Sequence, residues 1–178
     1  MRTIFAKEKD KIIRSILENP NKEIRVRQLA KALGVSPSQV SVTVTLFKKE
    51  GIVENGKVKS NEAIVKALKI LFNVNMLYTT SSISKIAEIK PAAAGLYGSW
   101  ANGSNDEESD VDIWIRIKKR PREDSIALLS NELGKKLGRS VHILLLTDEK
   151  LAILKAKDQV FYHSLAFGSI ILLGDQIE

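Results

Sequence analysis

Ile113, Ile115 and Ile117 alternate with Trp114, Arg116 and Lys118, a period-two pattern in β-branched residues that makes Val111 to Ile117 a strand. Asp110 and Asp112 stand two residues apart at its start, so both carboxylates project from one face. Carboxylates held that close repel each other and gather a proton or a cation between them. All-oxygen ligation suits a hard ion such as Mg²⁺, which keeps waters and shares phosphate oxygens with a nucleotide. Upstream, the short apolar run Ala92 to Tyr97 ends at Gly98, which permits close backbone approach. Ser99 follows with a hydroxyl and an amide at a predicted helix start, an arrangement that receives anions.

The rest of the chain bounds where such a site can sit. Its 178 residues allow one or two domains, and 44% hydrophobic with 28% charged residues is a soluble, globular balance. No cysteine is present, which excludes disulfides, thiolate metal sites and thiol nucleophiles. No apolar run approaches the ~18 residues of a membrane helix, and the N-terminus lacks a signal-peptide core. A cytoplasmic protein without a membrane partner is the simplest expectation. The net charge of +7 is concentrated: residues 1–60 hold 13 Lys and Arg against 6 Asp and Glu, whereas residues 61–178 balance at 15 each. Either a polyanion-binding module is joined to a neutral one, or the first third has a solvated basic surface.

Within that basic third, helices are predicted over Ala6 to Glu18 and Val26 to Leu33, the second stopped by Gly34. Ser36, Pro37 and Gln39 then form a capping box with proline at the first helical position. Val40 to Thr45 alternates like a strand, but Val40, Val44 and Phe47 also make a helical stripe, and the cap favours helix. Gly51 ends it, and residues 52–58 suggest a small hairpin around Asn55-Gly56. Helix, helix, turn, helix and hairpin, carried by LAKALGVSPSQVSVTVTLFKKEGIV, resemble a winged helix-turn-helix domain. That resemblance implies double-stranded DNA as partner, with Ser38, Gln39, Ser41 and Thr45 facing base edges or sugar and Lys48, Lys49 and Lys57 meeting phosphates. Winged helices also serve as protein–protein modules, so the partner stays open on this ground alone.

Residues 61–90 are expected to hold two connecting helices, Asn61 to Phe72 and a shorter one capped within Thr79 to Ser82 and stopped before Pro91. They carry no chemical signature, and pairing two chains into a homodimer is one use for them. Tyr78 and Tyr97 have hydroxyls that could accept a nucleotide, with core packing the expectation for both.

In residues 91–178, Gly98-Ser99, ten intervening residues and Asp110-x-Asp112 at a strand resemble the DNA polymerase beta-like nucleotidyltransferases, most closely their minimal members. The resemblance implies an α+β domain, a mixed sheet with helices on one side, that transfers a nucleoside monophosphate from a triphosphate with two metal ions. It implies Gly98 and Ser99 on the β- and γ-phosphates, Asp110 and Asp112 as ligands of Mg²⁺ or Mn²⁺, and ATP or another NTP as substrate. Ser109 precedes the first aspartate as in minimal members. Asp106, Glu107 and Glu108 read as a solvated loop.

The family's third carboxylate is replaced. After a helix over Ser125 to Leu137, the strand Ser140 to Leu146 carries Val141-His142-Ile143 where the family reads Val-Asp-Leu. Histidine is a poor Mg²⁺ ligand, better suited to Mn²⁺, and can act as a base. Asp148 lies beyond the strand end and could serve only if the chain bends back. Two functions follow. One is a nucleotidyltransferase acting on a protein or small-molecule hydroxyl, tethered to DNA. The other is a non-enzymatic, antitoxin-like regulator whose degenerate transferase domain senses a nucleotide and pairs with a toxin-like protein.

Overall fold

The computed structural model describes residues 7–60, 62–118 and 123–177. Ala6 and Asn61, expected as helix starts, lie outside them. The chain divides into two compact units, Met1–Asn75 with Gly103–Glu107, and Met76–Asn102 with Glu108–Glu178. No helix among the described residues is long and apolar enough to cross a membrane.

The first unit holds α1 (Lys7–Glu18), α2 (Val26–Leu33), α3 (Pro37–Lys49), the two-stranded hairpin of β1 (Val53–Glu54) and β2 (Lys57–Val58), and most of α4 (Ala63–Thr79). The local conflict in α3 is resolved by packing. Val40, Val44 and Phe47 are buried against Ile12, Ile13, Ile16 and Leu17 of α1, and the three burials, at about 1.5–3 kcal/mol each, together outweigh the summed propensity penalty. The cap also forms: the Ser36 hydroxyl accepts from the Gln39 amide at 3.3 Å, and the Gln39 side chain accepts from the Ser36 amide at 3.1 Å. The buried Thr43 hydroxyl donates to the Gln39 carbonyl at 3.0 Å, so its polarity is satisfied inside the helix. Asn55 and Gly56 both take positive φ, 50° and 76°, as the two-residue turn pairing Val53 with Val58 requires.

The helix α4 runs seven residues past the expected end at Phe72. Two polar residues of the helix are buried with partners there: Asn73 donates to the Asn105 side chain at 2.9 Å, and the Lys69 ammonium donates to the Asn105 carbonyl at 2.6 Å. Asn105 is 0% exposed, so residues 103–107 insert into the first unit as a polar plug. Burial lowers the pKa of Lys69, while Asp106 and Glu18 oppose that shift.

The second unit holds α5 (Ser82–Ala87), β3 (Ala93–Tyr97), α6 (Ser99–Asn102), β4 (Val111–Arg116), α7 (Glu123–Leu137), β5 (Val141–Leu146), α8 (Asp148–Lys157), α9 (Gln159–Gly168) and β6 (Ile170–Gly174). The sheet order is β5-β4-β3-β6, with β4 and β5 parallel and the other pairs antiparallel. This is an α+β arrangement with a mixed sheet. Of the caps expected within Thr79 to Ser82, the N-cap position falls to Ser81, which has φ 58° and makes no side-chain cap bond, while the Thr80 hydroxyl donates to the Met76 carbonyl at 2.7 Å.

Helices lie on both faces of the sheet, not on one as expected. Val111, Ile113 and Ile115 pack with Leu129, Leu133 and Leu137 of α7. On the other face Trp114 is buried with Leu151 of α8 and with Tyr162 and Leu165 of α9. A fully buried tryptophan there needs cover, and Gly95 supplies the space: a Cβ at that position would stand 2.5 Å from the Trp114 ring. The Trp114 indole N–H donates to the Ser169 hydroxyl at 2.9 Å.

One side chain works against the first unit. Asp10 of α1 has a carboxylate oxygen buried without a hydrogen-bond partner, and burial raises its pKa above 3.8 despite nearby Arg14. A carboxyl whose folded pKa exceeds its unfolded value costs stability when ionised. The cost is absent below the unfolded value and grows as pH rises through the folded one. Asp10→Asn is therefore expected to raise the melting temperature at pH 7, by the equivalent of about 1 kcal/mol or less, and to leave it unaltered at pH 3. Thermal melts at the two pH values check this; an equal gain at both would assign the effect to something other than charge.

Candidate nucleotide and metal site

The site is assembled by strand register. Asp112 pairs with Tyr97 on the antiparallel side and with His142 on the parallel side, so β3, β4 and β5 set these three residues in one row. Because Val111 and Ile113 point into the core, Asp112 points to the other face. Asp110 immediately precedes β4. The His142 ring lies against both acids, with Nε2 3.7 Å from Asp110 Oδ2 and Nδ1 3.9 Å from Asp112 Oδ1. The side chains of His142, Asp110 and Asp112 are 65%, 45% and 28% exposed, so the trio opens to solvent with Asp112 deepest. Burial raises the Asp112 pKa, His142 opposes the rise and Asp110 adds to it. Tyr97 is raised as well, by burial and then by the Asp112 charge.

Gly98 is held against Asp112 by two constraints at once. Its φ is +69°, and a Cβ there would lie 2.6 Å from Asp112 Oδ2. Its carbonyl accepts from the Ala101 and Asn102 amides at 3.1 and 3.2 Å, which starts the single turn of α6 at Ser99. Ser109 is half-buried, and its carbonyl accepts from Arg139 Nη1 at 3.5 Å. The Arg139 guanidinium also sits 5.6 Å over the buried Trp100 ring. Sequence reasoning passed over Arg139; the only signal was a cation just after Gly138 at the end of α7.

Among the described residues, no three His, Cys, Asp or Glu side chains are arranged to hold a metal ion. The two aspartates fit one Mg²⁺ that completes its shell with water and phosphate oxygens. His142 is not arranged with them as a third donor, although its nitrogen would suit Mn²⁺ better than Mg²⁺. Asp148 is not available as a third acid: it starts α8 and pairs with Arg116 at 3.1 Å. Asp106, Glu107 and Glu108 are exposed, and Glu107 pairs with Lys22.

The residues assigned to DNA are all exposed: Ser38, Gln39, Ser41, Thr45, Lys48 and Lys49 on α3, and Lys57 on β2. Gln39 is already engaged by the Ser36 amide and by Glu8. Tyr97 is half-buried and edge-on to Phe161, with ring centroids 6.4 Å apart. Tyr78 is not core, contrary to expectation: it is 39% exposed, because the buried stripe of this helical turn passes through Leu77 instead.

The sequence profile of the family described as Polymerase beta, Nucleotidyltransferase matches residues 81–171. No curated protein matches the chain. Two solved structures have a TM-score of 0.42 to it, over 55% of this chain and 74% of each of theirs. One is described as a toxin–antitoxin with AMP-PNP, at 20% identity, and the other as a mutant of the toxin–antitoxin MntA-HpeT, at 18%.

The constraints on Gly98 predict an intolerant position. Gly98→Ala is expected to lose roughly 1–2 kcal/mol through the left-handed backbone alone, and to push the Asp112 carboxylate out of its place. Chemical denaturation and a crystal structure of the variant are the measurements. Parent-like stability with Asp112 unmoved would remove the argument that glycine is required.

Proposed function

The chain belongs to the polymerase beta nucleotidyltransferase family, and from that premise we propose that it is a metal-dependent nucleotidyltransferase joined to a DNA-binding winged helix. It moves an NMP, AMP first among the candidates, from an NTP to a hydroxyl acceptor. Residues 1–60 form the DNA-binding part, 61–90 the connection and 91–178 the transferase. The observation that carries the reading is the closeness of Gly98 to Asp112: backbone that can admit phosphates lies beside a carboxylate that can share a cation with them.

Mg²⁺, held by Asp110 and Asp112 together with water and phosphate oxygens, would supply neutralisation of the triphosphate charge. Gly98 and Ser99 bind the β- and γ-phosphates, leaving the α-phosphorus beside the aspartates. The acceptor's hydroxyl oxygen bonds to that phosphorus while the bond to the β-phosphate oxygen breaks, and pyrophosphate leaves. The hydroxyl proton passes to the His142 imidazole or to water, since His142 stands where the family places a third carboxylate. Catalysis by the chain's own groups is then mostly positioning and electrostatics.

The same histidine favours a second reading. Without the third acid, the domain binds nucleotide and does not turn over, and the protein is an antitoxin-like DNA-binding regulator paired with a toxin-like protein or with itself.

Asp110→Asn with Asp112→Asn is expected to abolish divalent-ion-dependent ATP binding, measured by titration calorimetry, and to keep the parental circular dichroism. Undiminished Mg-ATP affinity in that variant means the site is elsewhere. In the same assay series, Mg²⁺-dependent AMP transfer by the parent supports the enzyme, whereas transfer seen only after His142→Asp supports the regulator.

For DNA, the exposed basic end of α3 predicts strong salt dependence. Lys48→Ala with Lys49→Ala in the full chain is expected to flatten the slope of log affinity against log salt by about two units, with little change in sequence preference. Fluorescence anisotropy with a labelled duplex measures it. A parent that binds no duplex at low salt moves this unit to protein partners.

A further inference from the structure

Helix α4 is apolar on two sides, and the fold uses only one of them. Val65, Phe72 and Leu77 are buried, with the polar Lys69, Asn73 and Asn75 buried among them. On the other side Ile64 is 54% exposed, Leu71 and Tyr78 are each 39% exposed, Ala67 is exposed and Val74 is half-buried. None of these five belongs to any of the three hydrophobic cores. They follow one another at intervals of three and four residues, so they form one stripe along the helix. That is the spacing with which one helix pairs with another. The stripe holds no charge, and its flanks carry the apolar Leu68 and Ile70. It therefore lacks the charged residues of a solvated helix face.

Two properties of the stripe match it to a second copy of itself running antiparallel. The first is size. A two-fold axis between residues 72 and 73 sets Tyr78, the largest side chain of the stripe, on the partner's Ala67, the smallest. The same axis sets Leu71 on the partner's Val74, and each contact is repeated by symmetry across the axis. The second is electrostatic. Helix α4 has no acidic residue in its first turn and no basic residue in its last, so those turns leave its dipole uncompensated. An antiparallel copy lays each pole beside the opposite one, whereas a parallel copy lays like poles together. With no charge in the stripe, two copies also meet without like-charge repulsion.

We propose that α4 is a homodimer interface, in which two copies of the chain pair antiparallel along Ile64, Ala67, Leu71, Val74 and Tyr78. The interface serves either reading of the transferase domain, because it shares no residue with the Asp110, Asp112 and His142 site. The 17 residues of α4 span about 25 Å. A single helix pair of that length falls short of the ~1,200 Å² of a standard interface, so the dimer is a weak one.

Sedimentation equilibrium of the full chain, from about 1 to about 200 µM, tests this, with a dimer dissociation constant of roughly 10 µM expected. Leu71→Glu is expected to weaken the dimer at least about tenfold. Val160→Glu, which puts the same charge on an 83% exposed position of α9, is expected to leave it unchanged. Because the chain has no cysteine, single introduced cysteines report the pairing without disturbing the fold's charge. A mixture of Ala67→Cys and Tyr78→Cys chains is expected to be joined by a short bis-maleimide. Ala67→Cys alone is not, since its two copies stand about 16 Å apart along the axis. A chain that stays monomeric over the whole range overturns the proposal and leaves the stripe to a partner of different sequence. Undiminished dimerisation of Leu71→Glu overturns it by placing the dimer on another face. Ready linking of Ala67→Cys to itself overturns it by showing a parallel pair.

Discussion

The alternation of β4 between two buried faces is the constraint on which the second unit depends. Val111, Ile113 and Ile115 are taken up by the α5–α7 side and Trp114 by the α8–α9 side, so the strand is held from both faces. A slip of one residue against either neighbour would drive Asp112 into the first core and expose isoleucines. The register that places Asp112 between Tyr97 and His142 is therefore a by-product of apolar packing. The acids contribute nothing to it; desolvation of Asp112 opposes folding, and the surrounding apolar burial outweighs that cost.

This explains how unevenly the molecule could be read in advance. Strand β4, the spacing of Gly98 and Asp112, and the capped start of α3 are local signals, written within a few residues of where they act. The extension of α4 was not legible, because the partner that satisfies buried Asn73, Asn105, lies 32 residues later. The second covered face of the sheet was hidden for the same reason. Trp114 alternates like an exposed residue, and only α8 and α9, far along the chain, bury it. Arg139 had no pattern around it at all; its meaning comes from Trp100 and Ser109, which three-dimensional packing brings to it.

The face carrying Asp110, Asp112 and His142 brings three titratable groups together without a direct hydrogen bond among them. The acids meet the histidine at 3.7 and 3.9 Å, longer than a hydrogen bond, and Asp112, the most buried of the three, is the one whose carboxyl is pushed upward. Groups held close with their charges only partly answered are the ones a bound cation would reorganise most.

The plug of residues 103–107 also sets an order of events during synthesis. Lys69 is 3% exposed and its ammonium donates to the Asn105 carbonyl, yet the ribosome makes that lysine well before it makes that acceptor. Until residue 105 has left the exit tunnel, closing the helices around Lys69 would bury a charge without this bond, which is strongly unfavourable. The contacts that complete the N-terminal unit therefore become available only after the first strand of the following unit, β3, has been made. A chain whose second unit is interrupted to finish its first cannot complete the two strictly in turn, and vectorial folding from the N-terminus is broken at this loop.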